Sequence, residues 1–467
     1  MTVQSTIVAE APLFETEIAR VRAGFAEGRT RSYAWRRDQL KALIRMLETE
    51  EAAILDALAK DMGRGATGAW ISDVALPRKE AKFALKHLKT WMKPVRVGTP
   101  LLALPGQSRI QPEPLGVVLI MTAWNFPFHE AFTPLVGAIA AGNAAVIKPS
   151  ELCVHSAALM ADLVARYLDP ACFAVVQGGV AETTALLKYK FDHICFTGSG
   201  AVGRIVSAAA AKHLTPVTLE LGGKCPVVVD KSADLAVTAR RIAWGKWQNC
   251  GQMCIAPDYA IVHEDVREEF LAALKAEVVR AFGEDPSQSA DYDRIINQRH
   301  FDRLTGYLTD AEVLFGGQHD RDSRYIAPTI LDGSDLASPV MREEIFGPIL
   351  PVIGYRDDAE VVDHVTARDK PLAFYLFTRD RRQQAGMTEA ISAGMVCIND
   401  VVMFVAALEL PFGGVGASGT GAYGGVHGFE TFSHMKPVMT RSRHLDITAR
   451  YAPFTKAKRK LLRIAWH

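Results

Sequence analysis

The 467-residue sequence has no long apolar run, no paired spacing among its cysteines and no excess of charge of one sign. Its run L-V-G-A-I-A-A-G-N-A-A-V-I is short and is interrupted by Gly142 and Asn143, so no integral membrane segment is predicted. Seven scattered cysteines, an odd number, fit a reducing compartment better than a disulfide framework. A formal net charge of +1 argues against a nucleic-acid-binding surface, so no nucleic acid partner is expected.

The N-terminus, M-T-V-Q-S-T-I-V-A-E, also lacks a basic region followed by an apolar stretch. No secretory signal is therefore predicted, and a cytoplasmic location is expected. What the sequence does have is length and ordinary globular composition, with 49% hydrophobic and 22% charged residues. A chain of 467 residues exceeds what one hydrophobic core normally supports, so two domains with smaller accessory segments are expected.

Hydrophobic patterns divide the chain into regions. Residues 13–91 have apolar positions at three- and four-residue spacing, which predicts three or four amphipathic helices. Proline and glycine interrupt residues 94–114, which predicts a short edge strand or hairpin outside the main sheet. Residues 116–221 alternate apolar strands with helices, and the alternation resumes over residues 223–399. This pattern is typical of parallel sheets with helices on both faces, in two α/β domains.

The stretch Trp247–Pro257, W-Q-N-C-G-Q-M-C-I-A-P, is the first candidate for chemistry. A helical pattern leads into it, Gly251 is predicted to supply a left-handed C-cap, and Pro257 prevents the helix from restarting. The next residues, D-Y-A-I-V-H, have the composition of a strand, so Cys254 is expected on a turn beside a cleft. A lone cysteine is more often a small buried apolar residue, so position alone does not establish a function.

Two glycine-rich segments allow alternative interpretations. Gly198–Gly203, G-S-G-A-V-G, matches a dinucleotide fingerprint, which would place Glu220 on a ribose hydroxyl. Against this, at least three strands precede the turn, and Glu220 lies in the apolar run T-L-E-L-G-G. Desolvation in this run would disfavour the charged form of the Glu220 carboxyl, which suits a general base. The alternative is a carboxylate that is held in an internal hydrogen-bond pair. The segment Pro411–Gly425 is either a flexible connector or backbone that approaches another group closely.

Several motifs follow one another in a fixed order: Asn125 in A-W-N-F-P, Lys148 and Glu151 in I-K-P-S-E, the helix start at Gly198, Glu220 in L-E-L-G-G-K, Cys254 in G-Q-M-C-I-A-P, and Glu344 with Phe346 in E-E-I-F-G-P. In residue type and spacing the chain resembles the aldehyde dehydrogenase superfamily, from about Phe14 to the C-terminus. The segments R-R-I-A-W-G-K and C-I-A-P-D-Y are similar to the class 3 branch, which includes fatty, aromatic and coniferyl-type aldehyde dehydrogenases.

The resemblance implies NAD(P)-dependent oxidation of an aldehyde to a carboxylic acid by a covalent mechanism. Cys254 would be the nucleophile, and the Asn125 amide with the Cys254 backbone N–H would hold the oxyanion. After hydride transfer has left a thioester, Glu220 would activate the water that hydrolyses it. The cofactor would be NAD, with NADP possible, and no metal is expected.

The resemblance assigns cofactor binding to Trp124, Lys148, Glu151, Gly198, Ser199, Gly203, Glu344 and Phe346. Lys148 and Glu344 would contact ribose hydroxyls, and Phe346 would lie beside the nicotinamide ribose. The turn at Gly198 would face the pyrophosphate. Glu151 would lie at the adenosine ribose, where it would favour NAD by accepting a hydrogen bond from the 2'-hydroxyl.

The resemblance also implies the aldehyde dehydrogenase fold: a Rossmann-like parallel-sheet cofactor domain, a second α/β catalytic domain and a small oligomerisation arm, assembled as a homodimer. The predicted boundaries are 1–100 and 115–220 for the NAD(P)-binding domain, 221–400 for the catalytic domain, 401–425 for a Gly-rich return segment, and 101–114 with 426–467 for the arm and C-terminal tail. The basic tail K-A-K-R-K-L-L-R-I-A-W-H is interpreted as solvated or as a subunit contact, with association with anionic membrane as the alternative.

Three positions depart from the branch. Gly200 stands where Thr is common, which removes a hydroxyl and a Cβ at the pyrophosphate turn. Cys250 stands where Ser or another small residue is commoner, and it either packs or acts as a resolving thiol for Cys254. Gly424 follows Tyr423 where a His is frequent, and the sequence offers no physical reason for it.

Seven apolar residues are candidates for a substrate tunnel: Trp124, Phe128, Trp247, Met253, Met403, Phe404 and Phe412. They favour hydrophobic or aromatic aldehydes, because no Arg lies beside these motifs to hold a substrate carboxylate. One alternative is a CoA-acylating enzyme on the same fold, against which the hydrolytic base Glu220 argues. The other is a catalytically silent binding protein, against which intact Cys254, Glu220 and Asn125 argue.

Overall fold

The computed structural model describes residues 13–309 and 311–466. Residues 1–12, on which the prediction about a secretory signal depends, lie outside the described residues. The N-terminal part is helical, as predicted, because its regularly spaced apolar residues form one face that becomes buried. Its helices are α1 (Glu15–Ala26), α2 (Tyr33–Thr49), α3 (Glu51–Met62), α4 (Ala66–Ala69) and α5 (Leu76–Trp91), with a π-helical turn (Trp70–Ala75) before α5.

The segment after α5 forms strands outside the two large sheets, as predicted for an arm. β1 (Val95–Val97) and β2 (Gly106–Pro114) pair antiparallel, with Val95 opposite Ile110. Both strands are partly exposed along their length, which is typical of a small sheet that protrudes from the main body.

The first large sheet has a nucleotide-binding strand order. Its parallel strands run in the order β5-β4-β3-β6-β7, and helices connect them. The elements are β3 (Val117–Met121), α6 (Pro127–Ala141), β4 (Ala144–Lys148), α7 (Val154–Tyr167), β5 (Phe173–Val175), α8 (Val180–Leu186), β6 (His193–Thr197), α9 (Gly200–Ala211) and β7 (Val217–Glu220). The strand order reverses between β3 and β6, and such sheets bind ligands at the carboxyl ends of the strands beside this reversal.

The G-S-G-A-V-G turn follows β6, the fourth parallel strand in chain order. A dinucleotide fingerprint belongs after the first strand, so the simple fingerprint interpretation is wrong here. α9 begins at Gly200, two residues after Gly198, so the motif opens a helix as predicted. Ser199 is the N-cap, and its hydroxyl accepts a hydrogen bond from the backbone N–H of Val202.

The second large sheet has the order β10-β13-β14-β9-β8-β15-β16, and all pairs except β10 with β13 are parallel. Its elements are β8 (Pro226–Val229), α10 (Leu235–Trp247), β9 (Tyr259–His263), α11 (Arg267–Phe282), α12 (Gln298–Gly306), β10 (Val313–Phe315), the hairpin β11 (His319–Asp320) and β12 (Tyr325–Ile326), β13 (Thr329–Asp332), α13 (Pro339–Arg342), β14 (Ile349–Tyr355), α14 (Asp358–Thr366), β15 (Ala373–Phe377), α15 (Arg381–Ala390) and β16 (Met395–Ile398). The division into domains stays a prediction.

The Gly-rich segment returns to the first sheet. Its strand β17 (Gly419–Thr420) pairs antiparallel with β7, so that Gly419 lies opposite Glu220. A Cβ at Gly419 would overlap the backbone oxygen of Leu219, so this glycine allows a close backbone approach and is not part of a flexible connector. Gly424 has φ of 94° and ψ of 135°, a backbone conformation that residues with a Cβ rarely adopt, but nothing in the structure explains why His is frequent here in the branch.

The C-terminal part completes the arm. After α16 (Gly425–Thr431), β18 (Ser433–Arg441) pairs with β2 along its whole length, and α17 (Lys456–Ala465) follows. The arm is therefore a three-stranded antiparallel sheet with β2 at its centre. Within residues 13–309 and 311–466, no helix combines the length and apolarity needed to cross a membrane, and no group of three or more His, Cys, Asp or Glu residues is suited to hold a metal.

Candidate active site

Two cavities meet at Cys254. The first, of about 260 Å³, lies at the carboxyl ends of β3, β6 and β7 and is closed by residues of α12 and of the loop 343–346. It therefore occupies the strand-order reversal at which sheets of this type bind ligands. The second cavity, of about 80 Å³, is mainly apolar and is lined by residues such as Phe126, Ile255 and Val405.

Eight of the eleven predicted site residues line the first cavity: Trp124, Asn125, Gly198, Ser199, Glu220, Cys254, Glu344 and Phe346. Lys148, Glu151 and Gly203 do not line it. Lys148 is buried at the end of β4, where its Nζ donates to the backbone oxygen of Pro149 at 2.7 Å and lies 3.9 Å from Glu151 Oε2. A Cβ at Gly203 would lie 2.8 Å from Leu221 Cδ2, so this glycine allows close packing of α9 on the sheet.

The turn that carries Cys254 differs from the prediction. α10 ends at Trp247, well before the predicted C-cap at Gly251. Asn249, Cys250 and Gly251 then all adopt left-handed backbone conformations, with φ of 50°, 51° and 69°. Such a conformation costs a non-glycine residue about 1–3 kcal/mol, so surrounding contacts must hold this turn.

Two buried amide side chains supply those contacts. Asn249 Nδ2 donates to the backbone oxygens of Asn125 at 3.2 Å and of Gln252 at 3.1 Å. Gln252 Nε2 donates to the backbone oxygens of Asn249 and Arg294, both at 3.0 Å. These bonds tie the loop after β3 to the turn before Cys254, and so fix two predicted parts of the site relative to each other.

Cys250 and Cys254 have different environments. Cys250 is fully buried in the core of the second sheet, and its thiol hydrogen-bonds with Tyr292. Cys254 is half-buried and lines both cavities. This arrangement favours the packing interpretation of Cys250, and the disulfide with Cys254 stays a hypothesis.

Asn125 is held by a buried ion pair. Its Nδ2 donates to the backbone oxygen of Gln252 at 3.1 Å, which directs the amide towards the turn of Cys254. Its backbone oxygen accepts from Arg64 Nη1 at 3.2 Å, and Arg64 Nη1 lies 2.8 Å from Asp73 Oδ2. Asp73 Oδ1 accepts from two backbone N–H groups in the first turn of α6, at 3.0 and 3.2 Å. Both side chains of the ion pair have no exposed surface.

Arg64→Met is expected to lower the free energy of unfolding by about 3–5 kcal/mol, because Asp73 would keep a buried charge without its partner. Chemical denaturation followed by circular dichroism measures this loss. The matched control is Arg321→Met, which breaks an exposed ion pair with Asp302 and should change the unfolding free energy little. Equal losses in the two variants would contradict the assigned role of the buried pair.

Glu220 ends β7, and its backbone oxygen accepts from Gly198 N at 3.0 Å. Its carboxyl is buried, and neither oxygen has a hydrogen-bond partner among the described residues. Burial, reinforced by the nearby Glu130, raises the pKa of Glu220 well above its ordinary value. A carboxylate that is so poorly solvated is a strong proton acceptor once it ionises, which suits a general base.

Burial, with Glu130 and Glu344 adding to it, raises the pKa of the Cys254 thiol well above its ordinary value. Burial therefore disfavours the thiolate form of Cys254. Because the thiolate is the nucleophile, its formation needs a proton acceptor close by. The carboxyls of Glu130 and Glu220 line the cavities beside the thiol and can serve this purpose.

Sequence reasoning missed Glu130, Thr197, His300 and Arg303, all of which line the first cavity. The His300 ring lies 5.6 Å from the Trp124 ring, and Arg303 Nη2 donates to the backbone oxygen of Ile345 at 2.7 Å. Glu130 lies in the first turn of α6, where an acidic residue is usual because of the helix dipole. Only its burial, with 5% of its surface exposed, distinguishes it from such a residue.

The tunnel candidates separate into groups. Met253 and Phe412 line the second cavity, whereas Trp124 lines the first. The other four line neither cavity: Phe128, Trp247, Met403 and Phe404. Periodicity could not distinguish these groups, because core residues and cavity residues are equally apolar.

Comparison with known proteins identifies the family. The family model described as "Aldehyde dehydrogenase family" matches residues 3–438. The chain belongs to the aldehyde dehydrogenase family. It is 46% identical over 460 residues to "Aldehyde dehydrogenase family 3 member H1" of Arabidopsis thaliana, which covers 97% of this chain and 94% of that protein. It is 47% identical over 425 residues to "Aldehyde dehydrogenase, dimeric NADP-preferring" of Rattus norvegicus, which covers 91% of this chain and 94% of that protein.

Among solved structures, "Substrate bound state of Staphylococcus Aureus AldH" matches with a TM-score of 0.95 and 41% identity, over 98% of this chain and 100% of that chain. These similarities confirm the predicted aldehyde dehydrogenase fold and the resemblance to the class 3 branch. The protein is therefore an NAD(P)-dependent aldehyde dehydrogenase, an oxidoreductase that acts on an aldehyde.

Parts of the first cavity are chemically suited to the pyrophosphate and a ribose of a nicotinamide dinucleotide. α9 begins beside the cavity, and the backbone N–H groups at a helix N-terminus bind phosphate. A Cβ at Gly200 would approach only Arg204, at 3.7 Å, so the missing Thr leaves space at this turn. Glu344 is buried against Gly222, where a Cβ would overlap its carboxyl, and burial raises the pKa of Glu344 to about 8. A carboxyl in this position can hydrogen-bond with ribose hydroxyls.

Proposed function

We propose that this dehydrogenase oxidises hydrophobic or aromatic aldehydes to carboxylic acids through covalent intermediates on Cys254. The observation that carries the proposal is the position of Cys254, which lines both the polar cavity and the apolar cavity. A thiol at this junction can receive an aldehyde from the apolar side and present its carbon to the polar side. A direct hydride transfer requires that the aldehyde carbon and the hydride acceptor lie next to each other.

In the first step, the Cys254 thiol gives its proton to a neighbouring carboxyl, which passes it to solvent, and the thiolate attacks the aldehyde carbon. Asn125 Nδ2 and the Cys254 backbone N–H donate to the oxyanion that forms. One such donor contributes about 3 kcal/mol in enzymes of comparable chemistry. The nicotinamide, when bound, supplies the hydride acceptor that converts the thiohemiacetal to a thioester.

In the second step, Glu220 removes a proton from water, and the hydroxide that results attacks the thioester. The C–S bond breaks, the acid leaves, and the Cys254 thiolate recovers a proton. Glu220 suits this step because its ionised carboxylate has no hydrogen-bond donor or cation among the described residues to lower its basicity.

The cofactor would be held by residues of the first cavity and its edge. Glu344 and Lys148 would bind ribose hydroxyls, and the turn 198–199 would bind the pyrophosphate with α9. Trp124 and Phe346, whose rings lie edge to face at 5.4 Å, would flank the nicotinamide end. Gly203 would contribute through the packing of α9.

Glu151 would influence the choice between NAD and NADP. Its side chain is about half-exposed near Lys148, so it could accept a bond from an adenosine 2'-hydroxyl and would repel a 2'-phosphate. This favours NAD, whereas the rat relative is named NADP-preferring. Both cofactors therefore belong in any assay.

An aldehyde panel tests the function and the substrate class together. We expect reduced nicotinamide to appear with benzaldehyde, hexanal and decanal, and kcat/KM to exceed that for succinic semialdehyde by at least about tenfold. Each buried methylene favours the apolar cavity by about 0.8 kcal/mol, while the semialdehyde carboxylate would lose its solvation there. Equal kcat/KM for the semialdehyde would refute the substrate class, and silence of the whole panel would refute the function.

A CoA-acylating activity is the alternative, and the same assay with CoA added distinguishes it. Such an enzyme would be silent with aldehyde and cofactor alone and would turn over only with CoA. A catalytically silent binding protein would be inactive under both conditions. Cys254, Glu220 and Asn125 lie together at one cavity, which favours hydrolysis over both alternatives.

We also propose a cytoplasmic homodimer. All seven cysteines are free, which fits a reducing compartment. The rat relative is named dimeric, and β18 is an edge strand of the arm that could pair or pack with a second subunit. The basic helix α17 is exposed and is interpreted as a solvated or subunit-contacting tail.

A further inference from the structure

Four side chains line both cavities and so surround their junction: Glu130, Thr197, Glu220 and Cys254. The proposed function gives roles to Cys254 and Glu220 but assigns none specifically to Glu130. Two carboxyls at one junction are unusual, because like charges that are both buried cannot both ionise without a large cost. The second carboxyl therefore requires an explanation.

Glu130 is firmly placed. It lies in the first turn of α6, has 5% of its surface exposed, and its Oε2 accepts from the backbone N–H of Ala123 at 2.8 Å. No other hydrogen bond to its carboxyl is formed by residues 13–309 and 311–466. Glu220 is as deeply buried, with 2% exposed, and both of its oxygens lack partners in the same part of the chain.

Within the described part of the chain, the other titratable groups around the pair supply no compensating cation. Asp73 approaches Glu130 from the π-helical turn, and Arg64 beside it is already paired with Asp73. The remaining groups that interact with these two carboxyls are thiols and a phenol on neighbouring elements: Cys153, Cys195, Cys254 and Tyr423. Burial lowers the pKa of His129, on α6 itself, which disfavours its charged form.

Proton binding is therefore favoured at both carboxyls. Burial raises the pKa of Glu130 to about 8. Burial, and after it the charge of Glu130, raises the pKa of Glu220 well above its ordinary value, so an ionised Glu130 opposes the ionisation of Glu220. Two interacting carboxyls titrate as a unit, in two separate steps.

We propose that Glu130 and Glu220, which line the same junction of the two cavities, act as one coupled carboxyl pair, and that Glu130 sets the pH at which Glu220 can accept a proton from water. The proposal rests on the proposed hydrolytic role of Glu220. Glu130 is a positioning residue in this scheme, because it acts through Glu220. During hydrolysis the hydroxide of water bonds to the acyl carbon, the C–S bond breaks, and the proton of water passes through Glu220 to the Cys254 sulfur.

The deciding experiment is the pH profile of kcat for aldehyde oxidation in Glu130→Gln. Gln keeps an oxygen that can accept from Ala123 N but cannot ionise. Loss of the Glu130 charge lowers the pKa of Glu220, so the pH below which kcat falls should move down by at least about one unit. The rate at low pH should rise correspondingly relative to the rate at the optimum.

The matched control is Glu80→Gln. Glu80 is also buried, its Oε1 accepts from Gly425 N at 2.7 Å, and burial raises its pKa to about 7, but it lines neither cavity. Its variant should keep the wild-type pH profile. An unchanged profile in active Glu130→Gln, or an equal shift in Glu80→Gln, would overturn the proposal. Wild-type protein that is silent in the aldehyde panel would instead refute the proposed function.

A second measurement covers the case in which Glu130→Gln does not fold. Infrared titration of the protonated-carboxyl band should show a high-pH step in wild-type protein. In Glu220→Gln one carboxyl should be lost from the titration and the Glu130 step should move to lower pH, because Glu130 would then titrate without a charged neighbour. The step of Glu344, whose pKa burial raises to about 8, should remain. If the Glu130 step keeps its wild-type pH in Glu220→Gln, the two carboxyls do not form a pair.

Discussion

Cys254→Ala is expected to lower aldehyde oxidation by at least about 10³-fold, because the thiol forms the bonds that define both intermediates. A residual rate would come only from the binding of both reactants in one place. The apolar and polar cavities lose little of their lining in this variant, so NAD(P) binding should stay within about threefold of wild type. Initial rates of reduced-nicotinamide formation and quenching of protein fluorescence by the cofactor measure the two quantities.

Cys397→Ala is the matched control for that result. Cys397 is a free, half-buried thiol on β16, as Cys254 is on its turn, but it lines neither cavity. Its variant should keep wild-type rates. If Cys254→Ala keeps more than a tenth of the wild-type rate, the covalent mechanism is wrong, even if the substrate class is right.

Much of the fold can be predicted from the sequence because its signals are local. Apolar runs such as V-V-L-I-M and A-A-V-I-K became β3 and β4, since a parallel strand covered on both faces needs a continuous apolar run. The end of α10 could not be predicted in the same way. Asn249 and Cys250 adopt left-handed conformations that their own sequence does not favour, and contacts from distant residues hold them there.

The catalytic residues of the site could be predicted only where they stand in recognisable sequence motifs. Cys254, Asn125 and Glu220 stand in motifs that agree in type and order, and all three line one cavity. Glu130 could not be found, because its role depends on burial beside Glu220 and nothing in H-E-A-F signals burial. The close approach of β17 to β7 likewise depends on tertiary packing. The glycines of that segment permit this approach but do not specify it.

Glu220→Gln is expected to separate the two halves of the reaction. The first turnover needs Cys254 and the oxyanion donors, so one equivalent of reduced nicotinamide per subunit should form rapidly. Hydrolysis then loses its base, and steady-state turnover should fall by at least about 10²-fold. Intact-mass spectrometry should detect an acyl group on Cys254, with the mass of the aldehyde used less one hydrogen atom, in place of the thiol hydrogen.

External nucleophiles provide the control for this variant. Hydroxylamine attacks thioesters without a general base, so it should restore turnover in Glu220→Gln and form the hydroxamate of the substrate. It should do nothing for Cys254→Ala, which forms no thioester. If Glu220→Gln shows no burst, no adduct and no response to hydroxylamine, the carboxylate acts before the thioester forms. The thiol would then depend on Glu220 for its own deprotonation, and Glu220 would act in the first step of the reaction as well as, or in place of, the hydrolysis.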